Sequence, residues 1–254
     1  MLVFNKPDSF GYSINNYFFT GENQPAQKRM FYALFFTIFT IIALGIDSVF
    51  FTKHYFDARQ ITNLLAIVYF SLFFFASNSH LRKLMFVMVF LSYIGELIFC
   101  KWLAMYAYRS NDIPLYVPFG HAIVYASGYV FSESSWAIKN EKGLRTFFAV
   151  FFIALFLSVG VFLKDIFSML FGVLFFLLLK RKRWQNLYYF IALCVIFIEL
   201  VGTFFGCWKW VPKIFGTISA VNPPMGAVFF YAGGDVLLAK IVAVWENKKL
   251  KTIL

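Results

Sequence analysis

Long apolar runs separated by short polar segments make up most of the chain. Eight of these runs approach or exceed the length that a helix needs to cross about 30 Å of hydrocarbon at about 1.5 Å per residue. They cover residues 31–51, 61–76, 84–105, 117–138, 146–163, 166–179, 187–207 and 225–245. The sixth run is the shortest and also fits a re-entrant or strongly tilted segment. The pattern predicts an all-α, polytopic membrane helix bundle with about eight transmembrane helices.

The composition excludes an ordinary soluble domain. Hydrophobic residues make up 61% and charged residues 14% of the 254 positions, whereas soluble domains average about 45–50% and about 25%. The net charge of +11 does not indicate nucleic-acid binding, because the basic residues fall almost entirely between the apolar runs. With eight spans, 15 of the 23 Lys and Arg residues lie on one side of the membrane and 7 on the other. The positive-inside rule then predicts that both termini are cytoplasmic, and we expect a bacterial inner-membrane protein.

A short repeat predicts an internal duplication of the chain. Residues 118–128 align without gaps with residues 224–234, and 5 of the 11 positions are identical. Upstream, each copy carries a glutamate followed by an aromatic-x-aromatic pair: Glu96 with Tyr106 and Tyr108, and Glu199 with Trp208 and Trp210. Four helices separate the copies, so both have the same orientation in the membrane. The repeat is therefore a parallel 4+4 duplication and not an inverted one.

The duplication divides the chain into four parts. They are a cytoplasmic N-terminal segment (1–29), a first four-helix repeat (30–138), a second four-helix repeat (139–245) and a basic cytoplasmic tail (246–254). The N-terminal segment is polar and has no apolar stretch typical of a signal peptide. We therefore expect the first helix to direct membrane insertion.

Acidic residues inside the apolar runs are the candidates for chemistry, because a charge within the bilayer is costly and usually faces a polar interior. The candidate catalytic residues are Glu96, His121, Glu199 and Asp235. The rise per helical residue places all four in the outer half of the bilayer. This shared depth predicts an acid-lined cavity that opens to the non-cytoplasmic side. Asp47 lies near a membrane interface, and we expect it to be solvated.

Aromatic and small residues near these acids are the candidates for substrate binding. They are Tyr106, Tyr108, Tyr125, Trp208, Trp210, Asn222, Gly226 and Tyr231. Aromatic faces can line the entrance for an apolar ligand and stabilise a cation. In the alternative interpretation, the aromatic pairs form an interfacial belt, and the two glutamates are protonated and hydrogen-bond to neighbouring helices.

No cofactor or metal is expected. Two of the three histidines fall in loops, and together the three do not form the motifs of a desaturase or di-iron hydroxylase. Motifs for a hydrolase nucleophile or a phosphate-binding loop are absent from the sequence. Cys100, Cys194 and Cys207 have no CxxC spacing and are predicted to be core residues.

Several short motifs resemble those of known membrane proteins. They are Tyr106-x-Tyr108, Pro118-x-Gly-His121, Trp208-x-Trp210 and Asn222-Pro-Pro-x-Gly226. In these motifs the chain resembles a group of uncharacterised bacterial integral membrane proteins. More distantly, a buried Glu followed by an aromatic pair is similar to the membrane carotenoid hydratases and the lycopene cyclases related to them. This resemblance implies acid chemistry on a polyene or isoprenoid lipid, with Glu96 or Glu199 protonating an alkene and Asp235 acting as base or orienting water.

Three functions are consistent with these patterns. The favoured one is a membrane protein that binds or transforms an apolar lipid or isoprenoid by acid chemistry, with membrane lipids as its partners. The alternatives are a non-catalytic subunit bound to other membrane protein subunits, and a proton-coupled transporter. A transporter needs polar residues that continue into the cytoplasmic half, where the third, seventh and eighth helices carry few beyond Ser92 and Lys240.

Overall fold

Helices make up most of the described chain. The computed structural model describes residues 24–182 and 184–253, so residues 1–23 of the predicted segment 1–29 lie outside the described residues, as do Arg183 and Leu254. The helices are α1 (Gln24–Ile46), α2 (Val49–His54), α3 (Arg59–Ala76), α4 (Ser79–Glu96), α5 (Tyr116–Ser132), α6 (Ser135–Lys139), α7 (Glu141–Leu163), α8 (Ile166–Leu179), α9 (Gln185–Phe204) and α10 (Val228–Ile253). A π-helical turn (Leu97–Trp102) extends α4, and a 3₁₀ turn (Met225–Ala227) precedes α10. The strands are β1 (Tyr106–Tyr108), β2 (Trp208–Trp210), β3 (Lys213–Ile214) and β4 (Ile218–Ser219).

Six helical stretches in the described part of the chain are long and apolar enough to cross a membrane. They are Ala26–His54, Arg59–Ala76, Ser79–Trp102, Glu141–Leu163, Gln185–Phe204 and Met225–Asn247. Large apolar side chains on these helices face outwards, and Phe75, Phe162 and Phe204 are 71%, 81% and 82% exposed. Exposed apolar surface on this scale is typical of contact with lipid. The chain is an integral membrane helix bundle.

Two of the eight predicted spans are not among these six stretches. The corresponding helices are α5, with 17 residues, and α8, with 14. Most side chains of α5 are buried, and it packs against α1, α3, α4 and α9. A helix enclosed by other helices contacts protein instead of lipid, so it does not need the length or apolarity of a lipid-facing span. The apolar run therefore predicted a helix here correctly, and the eight-span arrangement is not confirmed.

Two small antiparallel strand pairs lie where the helices of one end of the bundle are connected. β1 pairs with β2, with Tyr106 opposite Trp210 and Tyr108 opposite Trp208. β3 pairs with β4 in a short hairpin. Side chains two residues apart on a strand point to the same face. The four aromatic side chains of β1 and β2 therefore share one face of their pair.

A close contact between α5 and α9 fixes the position of the central helix. A Cβ atom on Gly128 would lie 2.6 Å from Ile191 Cγ1 and 2.7 Å from Ile191 Cα. Backbone would have to move to admit it. Gly120, two turns earlier on α5, has no atom within 4 Å of such a Cβ.

We expect Gly128→Ala to destabilise the bundle by about 1–3 kcal/mol, the usual cost of inserting a methyl group into a well-packed core. Gly120→Ala is the matched control, and it should be neutral or slightly stabilising because Ala is favoured over Gly inside a helix. Thermal unfolding of both variants in the same detergent measures the difference. Equal melting temperatures would contradict this account of the α5–α9 contact.

Candidate functional site

The carboxyl group of Glu96 is held by three partners at the end of α4. Tyr106 Oη and Tyr108 Oη each donate a hydrogen bond to Glu96 Oε2 over 2.8 Å. His121 Nε2, one turn into α5, lies 3.1 Å from Glu96 Oε1. Burial raises the pKa of Tyr106 and Tyr108 well above the ordinary value for tyrosine, and the neighbouring Glu96 raises it further. Both phenols therefore stay protonated and keep donating.

The carboxyl group of Glu199 on α9 is held in the same way by the second aromatic pair. Trp208 Nε1 and Trp210 Nε1 donate to Glu199 Oε2 over 2.9 and 3.0 Å. Tyr231 Oη, on α10, lies 3.1 Å from Glu199 Oε1. An indole N–H can only donate, so Oε2 has to accept both of these bonds. A proton on Glu199 has room only at Oε1, where it faces Tyr231.

The β1–β2 pair joins the two carboxyl groups into one acid cluster. Across the strands, the rings of Tyr106 and Trp210 are 4.7 Å apart, centroid to centroid. The rings of His121 and Tyr231, one partner of each glutamate, stack with their centroids 5.0 Å apart and an angle of 10° between their planes. We call this set the acid cluster: Glu96, Tyr106, Tyr108, His121, Glu199, Trp208, Trp210 and Tyr231.

A cavity of about 380 Å³ adjoins the acid cluster on the side of α4 and α10. Most of its lining is apolar and includes Met88, Leu91, Phe99, Val124, Ile191, Phe229 and Phe230. Its polar lining consists of acid-cluster residues together with Ser92, Tyr125 and Asp235. Within the described chain, neither Lys nor Arg lines it. The cavity is thus an apolar chamber with a few acidic and phenolic groups on its wall.

A smaller cavity of about 60 Å³ lies on the opposite side of the acid cluster, against α1 and α3. Glu96 and Glu199 line both cavities, and Thr40 and Thr62 add hydroxyl groups to the smaller one. A buried water needs about 10–15 Å³ of such volume and two or more polar partners. The smaller cavity therefore has room for a few water molecules beside the two carboxyl groups.

An ion pair between the buried Asp47 and the partly buried Arg109 lies near the smaller cavity, which Tyr116 lines. Asp47 is 1% exposed, so the expectation that it is solvated is wrong. Arg109 Nη2 lies 2.7 Å from Asp47 Oδ1, and Tyr116 Oη donates to Asp47 Oδ2 over 2.8 Å. Arg109 Nη2 also lies 2.9 Å from the more exposed Asp57, and this hydrogen bond holds the pKa of Asp57 below its usual value. Neither Arg109 nor Tyr116 was among the candidates drawn from the sequence.

Two predicted substrate-binding residues lie outside both cavities. Asn222 Oδ1 accepts a hydrogen bond from the backbone N–H of Trp210 over 2.9 Å and so positions β2. Gly226 N–H donates to Ser168 Oγ over 2.9 Å, and a Cβ on Gly226 would lie 2.7 Å from Ser168 Cα. The Asn222 contact joins a loop to strand β2, and the Gly226 contact joins the 3₁₀ turn to helix α8. Tyr125 and Asp235, in contrast, line the larger cavity, and the other predicted residues meet in the acid cluster.

Within residues 24–182 and 184–253, no group of three or more His, Cys, Asp and Glu side chains could hold a metal ion. Cys100, Cys194 and Cys207 are buried, as predicted for core residues. Comparisons with known protein families, with curated proteins and with solved structures find no match to the chain.

Removing Arg109 should destabilise the protein much more than removing a neighbouring arginine. Arg109→Gln leaves the Asp47 carboxylate buried without its cation, a change that typically costs about 3–5 kcal/mol. Arg59→Gln is the control, because Arg59 pairs with Asp57 at the surface, with side chains 25% and 43% exposed, where ion pairs contribute about 0–1 kcal/mol. Chemical or thermal unfolding of both variants tests this. A similar small loss for both would show that the Asp47 pair is effectively solvated.

Because two tryptophans donate to Glu199, we expect two replacements of this residue to differ in their effect on stability. Glu199→Leu leaves two indole N–H groups without an acceptor, and each buried unpaired donor costs about 1–3 kcal/mol. Glu199→Gln keeps an oxygen for Trp208 and Trp210 and turns its amide N–H towards Tyr231. We expect melting temperatures in the order wild type, Gln variant, Leu variant, with the larger step to Leu. A Leu variant as stable as the Gln variant would contradict the hydrogen bonding described here.

Proposed function

We propose that the chain binds an apolar lipid or isoprenoid in the larger cavity and transforms it by acid chemistry. The observation that carries the proposal is the cavity itself, whose volume of about 380 Å³ lies within the range of about 300–1,000 Å³ typical of ligand sites. An apolar wall with a few convergent polar groups is also the usual composition of such sites. The absence of lysine and arginine from its described lining disfavours an anionic substrate.

The Glu96–His121 contact is the best candidate for the proton donor. His121 Nε2 lies 3.1 Å from Glu96 Oε1, within reach for a hydrogen bond that carries one proton, and both residues line the larger cavity. In the proposed reaction, this proton is added to one carbon of a C=C bond, and a carbocation forms at the other carbon. The faces of Tyr106 and Trp210, which also line the cavity, stabilise the cation.

Water would complete the reaction. A water molecule adds its oxygen to the carbocation and loses a proton to the carboxylate, so that the alkene becomes an alcohol and the acid is restored. The smaller cavity supports this step, because it can hold water against the same two carboxyl groups that line the larger one. The distant resemblance to membrane carotenoid hydratases and lycopene cyclases favours the same chemistry.

We also propose the finer architecture expected from the sequence, with eight spans, a parallel 4+4 duplication and both termini in the cytoplasm. Each glutamate accepts hydrogen bonds from the aromatic pair of its own predicted half, and the two pairs meet as antiparallel strands. A twofold relation between the halves accounts for this arrangement. Reporter fusions to the two ends of the chain test the orientation, and a bacterial inner membrane is the expected location.

Lipids that copurify with the protein test the proposed reaction. We expect Glu96→Gln to fold normally, because the amide oxygen still accepts from Tyr106 and Tyr108, but to lose the transferable proton. Mass spectrometry of lipids extracted with the variant should show an unsaturated lipid that intact protein converts into a species heavier by one water.

Glu141→Gln is the matched control, since it removes a carboxylate outside both cavities. It should give the same lipids as the intact protein. Identical lipid profiles for the Glu96 and Glu141 variants would contradict the proposed chemistry. If the protein copurified with a stoichiometric protein partner and with bulk lipid but no specific lipid, the result would favour the subunit function instead.

A further inference from the structure

The larger cavity lies between two helices that meet at both of their ends. Lys83 Nζ on α4 lies 2.6 Å from Glu246 Oε1 on α10 at one end. At the other end, the rings of Phe99 and Phe230 are 4.7 Å apart. Between these contacts, Gly95, Gly233 and Gly234 line the cavity. About one turn from the Phe99–Phe230 contact, both helices therefore lack a side chain, and the space between them stays open.

The exposed part of the cavity lining is apolar and belongs to the sides of α4 and α10. Ile94 and Leu237 both line the cavity and are 52% and 47% exposed. They lie in two of the stretches that are apolar enough to span the membrane. The opening at this point faces hydrocarbon, so an apolar ligand can enter sideways from the bilayer.

Asp235 places a buried carboxyl oxygen without a partner on this wall. It is 3% exposed, and its Oδ2 atom has no hydrogen-bond partner among the described residues. Glu96 and Glu199 differ from it, because each of them already has three partners. Asp235 lies one helical turn beyond Tyr231, about 6 Å further along α10. A buried polar atom without a partner is costly, so a ligand that hydrogen-bonds to it gains affinity.

We propose that the larger cavity takes an apolar lipid alcohol, which enters between α4 and α10 and donates its O–H group to Asp235. A hydroxyl group fits because it supplies a donor without a charge. A phosphate head group would add negative charge beside three acids in a cavity whose described lining has neither Lys nor Arg. The inference rests on the proposed function, since it assumes that an apolar lipid occupies this cavity.

Two probes test this inference: they share the same isoprenoid chain, and one carries a hydroxyl donor where the other carries a methoxy group. Farnesol and its methyl ether are offered together, in equal amounts, to the purified protein in detergent, and native mass spectrometry gives the ratio of the two bound species. We expect the intact protein to prefer the alcohol by about tenfold, as one buried hydrogen bond allows. Asp235→Leu should bring the ratio close to one. Asp235→Asn, which keeps an acceptor oxygen, should retain the preference.

A second variant tests where the probes bind. A Cβ on Gly234 would meet no atom within 4 Å, and Gly234 lines the larger cavity, so the Gly234→Leu side chain starts in open space and occupies part of the cavity. It should reduce the binding of both probes without lowering the melting temperature. A ratio near one in the intact protein, an unchanged ratio in Asp235→Leu, or no bound probe would each overturn the inference. The lipid conversion that tests the proposed reaction is measured with Glu96→Gln, and the probe ratio that tests this inference is measured with Asp235→Leu. The two proposals can therefore fail separately.

Discussion

Two carboxyl groups buried in one apolar bundle need hydrogen-bond donors, and the site is built around this need. The interior turns of a helix cannot supply them from the backbone, because N–H groups beyond the first turn are already bonded. β1 and β2 supply them instead, since the alternation of a strand directs two aromatic donors at one glutamate. The pairing of these strands then brings both carboxyl groups together and leaves a cavity on each side of them. The strands that hold the acids thus also determine where a ligand can reach them.

Much of this arrangement could be predicted from the sequence because polar residues are rare in the apolar runs. Glu96, Glu199, His121 and Asp235 stand out against hydrophobic neighbours, and all four line the larger cavity. The apolar runs also predicted the positions of the long helices. They could not separate α5, which is enclosed by protein, from helices that face lipid, because both kinds of surroundings select apolar side chains.

Contacts between distant parts of the chain could not be predicted. Arg109 and the buried Asp47 form an ion pair across 62 positions, and no local pattern links a loop arginine to that particular aspartate. Asn222 and Gly226, which begin and end the motif Asn222-Pro-Pro-x-Gly226, were expected near a ligand. Their contacts with Trp210 and Ser168 show that the same residue types also serve backbone capping and close packing. Composition does not distinguish these uses.

The two aligned segments end in equivalent glycines with opposite surroundings. Gly128 lies against the backbone of Ile191 and draws α5 and α9 into contact, whereas Gly234 faces open space between α10 and α4. The larger cavity therefore lies beside the one of these two aligned glycines that has no close neighbour. If α4 approached α10 as closely as α9 approaches α5, the chamber would disappear. Asp235 follows the glycine that faces open space, and Tyr129 holds the aligned position after the enclosed glycine, so of these two aligned residues it is Asp235 that lines the larger cavity and can meet a ligand there.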